Sequence, residues 1–264
     1  MRNLGEDIVL LAIGQDGTIA AVEKLRFAVA GAELVRLAAS RNIDVDDAGV
    51  VEILDAGSTG DAFTDSALRS LKRMGPPREA RRWVGMQRSG MVRRVLKGLA
   101  EAGTIRAGNR GVRGLFLAPR WIVIDVDRVA DARSRLDAIA FSTGPVTAEQ
   151  AAFAGLVHAV GLPAVLYPDS ADQAARIRLG AITLQDATSA MVRDAADLTS
   201  SAAGASAEAA TDAAIQSATW SAVKSSVQAT HHAAVHHQQT THSGGFEHHG
   251  HGGGGGGMAG GHHG

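Results

Sequence analysis

Residues 91–105 read Met-Val-Arg-Arg-Val-Leu-Lys-Gly-Leu-Ala-Glu-Ala-Gly-Thr-Ile, and their pattern decides the architecture. Met91, Val92, Val95, Leu96 and Leu99 recur at helical spacing, while Arg93, Arg94 and Lys97 fall off that stripe. One helix face is therefore predicted to be buried and the other to be cationic and solvated. Gly103 stops the helix. Thr104 to Arg106 and Val112 to Leu117 then flank a turn-rich stretch, Ala107 to Gly111, which predicts a β-hairpin bearing Arg106, Arg110 and Arg113.

Upstream, the pattern stays helical. Pro76-Pro77 ends a helix marked by Phe63, Ala67, Leu68 and Leu71, which Gly57-Ser58-Thr59-Gly60-Asp61 leads into. Val50 to Leu54 is a short β-branched run. Ile8 to Ile13 is a short apolar element closed by the turn Gln15-Asp16-Gly17. Val22, Leu25, Val29 and Ala32 then predict a helix to about Ser40. Downstream, Val129, Ala132, Leu136 and Ile139 mark one helix, Phe153, Leu156, Val157 and Val160 another, and Ala171 to Ile182 a third. Ile215, Trp220, Val223 and Val227 offer a weaker last one. The predicted fold is mainly α: a single helical domain over residues 1–230 with a protruding β-hairpin. From His231 the chain is low in complexity, with 10 of its 11 histidines and the run Gly252 to Gly257. Such a tail, 231–264, buries too little apolar surface to offset its chain entropy and is predicted to be disordered.

Charge is segregated along the chain. Between Ala67 and Arg135 lie 17 of the 26 basic residues and 5 of the 27 acidic ones, a local excess of 12 within a chain of net charge −1. Such a block predicts a polyanionic partner, either a lipid headgroup or nucleic acid. The chain has no cysteine, which excludes disulfides, thiolate nucleophiles and Cys-based zinc sites. Arg2, Glu6 and Asp7 before a short apolar run do not suit a secretory signal. His158, Gly161 and Pro163 interrupt the longest uncharged stretch, Gln150 to Pro168, so no transmembrane segment is expected. A cytoplasmic protein follows.

Enzyme chemistry finds little footing. Gly57 to Asp61 lacks the lysine of a P-loop and the glycine spacing of a dinucleotide fingerprint, so capping of the next helix explains it. Asp125 and Asp127, like Asp44, Asp46 and Asp47, lead into turns or helix starts, where acids favour the local dipole. His158 lies on an apolar helix and reads as a satisfied core residue. No nucleophile with a positioned base is present, and no cofactor is expected. His231, His232, His236 and His237, with His248, His249 and His251, offer paired imidazoles but no framework that fixes their geometry, so no metal site is assigned.

Gly31, Leu34, Leu37 and Ala38, then Ile43-Asp44-Val45, then Ser58-Thr59-Gly60-Asp61 with Asp65, Ala67 and Leu68, form an ordered series. It continues through Trp83, Leu99-Ala100-Glu101-Ala102-Gly103-Thr104-Ile105, Leu115-Phe116 and Leu156-Val157-His158-Ala159. Arg176-Ile177-Arg178 and Trp220-Ser221-Ala222-Val223 close it. Over roughly residues 4–228 the chain resembles the Golgi phosphoprotein 3 family. The resemblance implies a helical domain with a hairpin, no catalytic activity, and peripheral membrane binding through phosphatidylinositol 4-phosphate. The family's lipid pocket uses one Trp and three Arg residues. Here the Trp position falls within Ala20 to Val22, the first Arg on Ala30, and the other two on Ser89 and Val92.

No pocket residue is therefore carried over. Arg26, Arg88, Arg93 and Arg94 lie close to those positions and are the candidate headgroup ligands. They predict binding to anionic membrane lipids, phosphoinositides among them, by a diffuse guanidinium face. Leu115, Phe116 and Leu117 make both faces of a hairpin strand apolar and predict a homo-oligomer through it. A helix followed by an Arg-bearing hairpin also resembles the end of a winged-helix DNA reader. That reading requires a compact helix-turn-helix, which Pro76-Pro77 and two short helical pieces fit poorly. The client protein is not legible.

Overall fold

The computed structural model describes residues 3–46, 48–87, 90–108, 120–182 and Val223. The described chain is mainly helical, as its periodicity predicts. It contains α1 (Leu4–Leu11), α2 (Val22–Ala39), α3 (Ala62–Arg73), α4 (Ala80–Gly85), α5 (Gly90–Glu101), α6 (Val126–Ala140), α7 (Ala148–Ala159), the short α8 (Pro163–Leu166) and α9 (173–182). The predicted 231–264 tail, the last helix apart from Val223, and hairpin residues Arg110, Arg113, Leu115, Phe116 and Leu117 lie outside the described residues.

Helix α2 is the hub, because most of its side chains are apolar and buried. Leu25, Phe27, Ala28, Val29, Ala30, Leu34 and Leu37 are wholly buried, and α1, α3, α4, α5, α7 and a strand pack around it. Full burial of one such leucine or phenylalanine contributes about 1.5–3 kcal/mol, so this helix anchors the core. Val22, expected on the buried stripe, is exposed at the helix start, one residue after Ala21, whose φ of 52° is left-handed. Trp83 on α4 is wholly buried, and its indole nitrogen donates to Ser70 Oγ at 3.2 Å.

Two two-stranded antiparallel sheets lie among the helices. β1 (Ile43–Val45) pairs with β2 (Val51–Ile53), with Asp44 opposite Glu52. Asp46 Oδ1 accepts from the Val50 amide at 2.8 Å and closes their turn, the role expected of that acidic cluster; Asp47 lies outside the described residues. This ladder is short, and only its second strand was legible from β-branching.

The other sheet is the antiparallel pairing predicted after α5. β3 (Ile105–Ala107) pairs with β4 (Trp121–Val123), a strand the periodicity had not marked, and 112–117 lies outside the described residues. Gly103, at φ 75°, ends α5 and turns the chain into β3. The β3–β4 ladder rests on the first turn of the chain. Trp121 donates its amide to the Gly17 carbonyl at 2.8 Å. A Cβ on Gly17 would stand 2.7 Å from the Trp121 carbonyl oxygen, and φ is 78° there, so glycine is required twice over.

Helix starts carry the caps that the acidic residues predict. Asp61 Oδ1 accepts from the Phe63 amide at 2.9 Å, Asp125 from the Arg128 amide at 3.0 Å, and Thr147 with Gln150 forms a capping box on α7. Asp65 binds the Thr59 amide and the hydroxyls of Ser58 and Thr59. Those hydrogen bonds, the amide's first, hold its carboxyl down at about 2. The Ser58-Thr59-Gly60-Asp61 stretch is thus a rigid helix-entry loop.

His158 departs from its expected core role. The residue is exposed at the end of α7, although its ring lies against Gly180 of α9. That partial burial lowers its pKa.

Candidate anionic-surface site

The predicted cationic face of α5 forms as expected. Met91, Val92, Val95, Leu96 and Leu99 are buried, while Arg93, Arg94 and Lys97 are exposed. Arg94 Nη1 donates to Ser66 Oγ on α3 at 3.1 Å, which ties the two helices together. Ser66, Arg69 and Arg73 share one side of α3 by their three- and seven-residue spacing, and both arginines are exposed. Arg69, Arg73 and Arg93 make no ion pair among the described residues, and Lys97 lies 3.4 Å from Glu101. The result is a two-helix cationic ridge. Arg69 and Arg73 were not singled out in the sequence; their spacing within the basic block was the available signal.

The other candidates are placed differently. Arg26 is half-buried on α2, 3.6 Å from Glu23, with its guanidinium 4.5 Å from the Phe27 ring centre. Arg88 lies outside the described residues. Of the family's pocket positions, Ala30 is wholly buried and Val92 nearly so, both in the core, and Ser89 is outside the described residues. Ala30 and Val92 are apolar core residues and supply no cation to a headgroup.

Two further features frame the ridge. At the β4–α6 corner Ile122, Ile124 and Val126 are exposed apolar residues next to exposed Arg120, and Arg106 pairs across from Ile122. A cavity of about 710 Å³ opens there, walled by Ile13, Trp121, Val123 and Val129. On the other side of α1, Asp7 is wholly buried yet charged partners surround it: Arg128 Nη1 at 2.5 Å and Arg135. Glu6 joins this network through Arg128 at 3.6 Å, and burial raises its pKa. In the sequence Asp7 counted only against a secretory signal; its burial depends on α6, far along the chain.

No helix among the described residues is long and apolar enough to cross a membrane. Among the same residues no group of three or more His, Cys, Asp or Glu side chains is placed to hold a metal ion. Fold and site define a mainly helical protein with a two-helix cationic ridge and an exposed apolar corner. The chain belongs to the Golgi phosphoprotein 3 (GPP34) family, whose profile matches residues 4–199, a span containing every element above. That match ends short of the resemblance read to 228. No curated protein matches the chain.

Proposed function

We propose that this protein is a non-enzymatic, cytoplasmic peripheral membrane protein that binds anionic lipid headgroups through the α3–α5 ridge. The observation that carries the reading is the exposure of Arg93, Arg94 and Lys97 on α5, with Arg94 bonded to Ser66 of α3, the helix that bears exposed Arg69 and Arg73. Family membership supports it, since the family's members recognise phosphatidylinositol 4-phosphate. Each basic residue near an anionic surface contributes about 1 kcal/mol, screened by salt. An open ridge attracts phosphate charge without selecting one headgroup, because its guanidinium groups do not converge on a point. The exposed Ile122, Ile124 and Val126 add apolar contact with the bilayer interface. Self-association through Leu115, Phe116 and Leu117 belongs to the same proposal.

The test is co-sedimentation of the full chain with vesicles of neutral lipid, of neutral lipid with phosphatidylglycerol, and of neutral lipid with phosphatidylinositol 4-phosphate. Binding to both anionic mixtures that weakens with salt is the expected result. Equal sedimentation with all three at low salt would refute the proposal, and duplex DNA binding without vesicle binding would favour the winged-helix reading.

A further inference from the structure

The hydroxyl of Thr64 stands between two carboxyl groups. Its Oγ is 3.0 Å from Glu33 Oε2 on α2 and 3.2 Å from Asp61 Oδ2 at the start of α3. A threonine hydroxyl has one proton to donate and lone pairs with which to accept. Asp61 is already committed as an acceptor: Oδ1 takes the Phe63 amide and Oδ2 lies 2.8 Å from Arg36 Nη1. Glu33 is 1% exposed and forms no salt bridge among the described residues. Both contacts of Thr64 become good hydrogen bonds at once when Glu33 carries a proton, donates it to Thr64 Oγ, and Thr64 donates onward to Asp61.

We propose that Glu33, Thr64, Asp61 and Arg36 form a proton-dependent latch, closed while Glu33 is neutral, that fixes the first turn of α3 on α2. Since Arg69 and Arg73 lie on α3, the latch also sets the geometry of the cationic ridge; this consequence rests on the membrane-binding reading, whereas the latch does not.

Burial, more than the Thr64 contact, favours the neutral form of Glu33. Burial raises its pKa to about 7, with Asp61 and Glu6 pushing the same way and Thr64 and Arg36 opposing. The charged groups facing it are Arg36 on its own helix, Glu6 on α1 and Asp61 at the start of α3. Asp7, the other acid of α1, is taken by Arg128 and Arg135. Helices α4, α5 and α7 and strand β1 also pack on α2, and their buried residues are apolar. Loss of the proton leaves a buried anion near Asp61, and the single proton of Thr64 can then serve only one of the two carboxylates, so the contact weakens.

The experiment is amide hydrogen exchange of α3 in the full chain at pH 6 and pH 8, corrected for intrinsic rates, for the native protein and Glu33→Gln. It is paired with a carbon-13 titration of the native Glu33 carboxyl group. Linkage through a group titrating near 7 predicts that α3 protection in the native protein falls about tenfold between the two pH values. Glu33→Gln, which mimics the neutral acid, should show no such fall. A Glu33 midpoint at the ordinary carboxylate value would overturn the latch even if the variant did not fold, and so would the native pH dependence persisting in Glu33→Gln. Vesicle binding at both pH values separates the two ideas: protection that responds to pH without vesicle binding leaves the latch standing and removes the membrane reading.

Discussion

Arg135 donates to Asp7 across 128 residues of sequence, and the accepting carboxylate is wholly buried. With Arg128 on the preceding turns of α6, it clamps the N-terminal helix to the middle of the chain. Two guanidinium groups that each keep about a quarter of their surface in water share one desolvated anion. Loss of the anion is therefore expected to cost less than loss of a fully buried pair, because the arginines rehydrate. Asp7→Ala should destabilise the protein by about 3 kcal/mol, the lower end for a broken buried ion pair. Urea denaturation reads this as a lowered midpoint at unchanged slope; a shift under 0.5 kcal/mol would show the clamp to be ornamental.

Stability should depend on pH in the direction opposite to ordinary acid denaturation over one window. Glu33 binds its proton more tightly when folded, near 7, than when unfolded, near 4.5. Between those values the folded state holds the extra proton, so stability is greatest at the acidic end and falls as pH rises through 7. The full effect is about 3 kcal/mol by the size of the shift. Glu6 acts in the same direction. Urea midpoints measured from pH 5 to 8 should fall more steeply for the native protein than for Glu33→Gln, which keeps only the contributions of Glu6 and His158.

Removal of ridge charges should weaken vesicle binding without unfolding the protein. Arg69→Ala, Arg73→Ala and Arg93→Ala should each reduce partitioning to anionic vesicles about fivefold at low salt, the equivalent of about 1 kcal/mol. Each should leave thermal stability within about 0.5 kcal/mol, because the side chains are exposed. A charge-blind loss of binding to neutral vesicles as well would point to altered folding instead.

Gly17→Ala tests the seat of the β3–β4 ladder. The added methyl meets the Trp121 carbonyl and the backbone must hold φ 78° with a side chain present. Together these should cost about 2 kcal/mol, judged from left-handed strain and lost packing. Tryptophan emission should shift as Trp121 loosens, ahead of the global transition on heating.

Self-association is read by light scattering. The native chain should exceed monomer mass and Phe116→Asp should not; an identical monomeric mass for both would remove the hairpin from the proposal.

Elements with a strong 3.6-residue pattern and explicit stops were legible in the chain: α5 from Met91 to its stop at Gly103, α3 between Asp61 and Pro76, and the caps at Asp61 and Asp125. Local sequence suffices there because the periodicity, the breaker and the capping oxygen all act within a few residues. The pairing of β3 was not legible. Val112 to Leu117 looks as strand-like as Trp121 to Val123, and only the ladder itself, seated on Gly17, marks Trp121 to Val123 as a partner of β3. The ridge was half legible: Arg93 and Arg94 follow from one helix, while Arg69 and Arg73 join them only through the Arg94 contact with Ser66.

By itself the sequence determined the helical class, the family resemblance and the concentration of positive charge, since each is written in short-range spacing or composition. Tertiary structure decided which charges face water and which are buried. Asp7 and Glu33 look like ordinary surface acids in the chain, as exposed by their neighbours as Asp127 or Glu101. Packing of α1 against α6, and of α2 against α3, took their carboxyl groups out of water, and there the cost of an unpaired charge makes Arg128, Arg135 and Thr64 their partners.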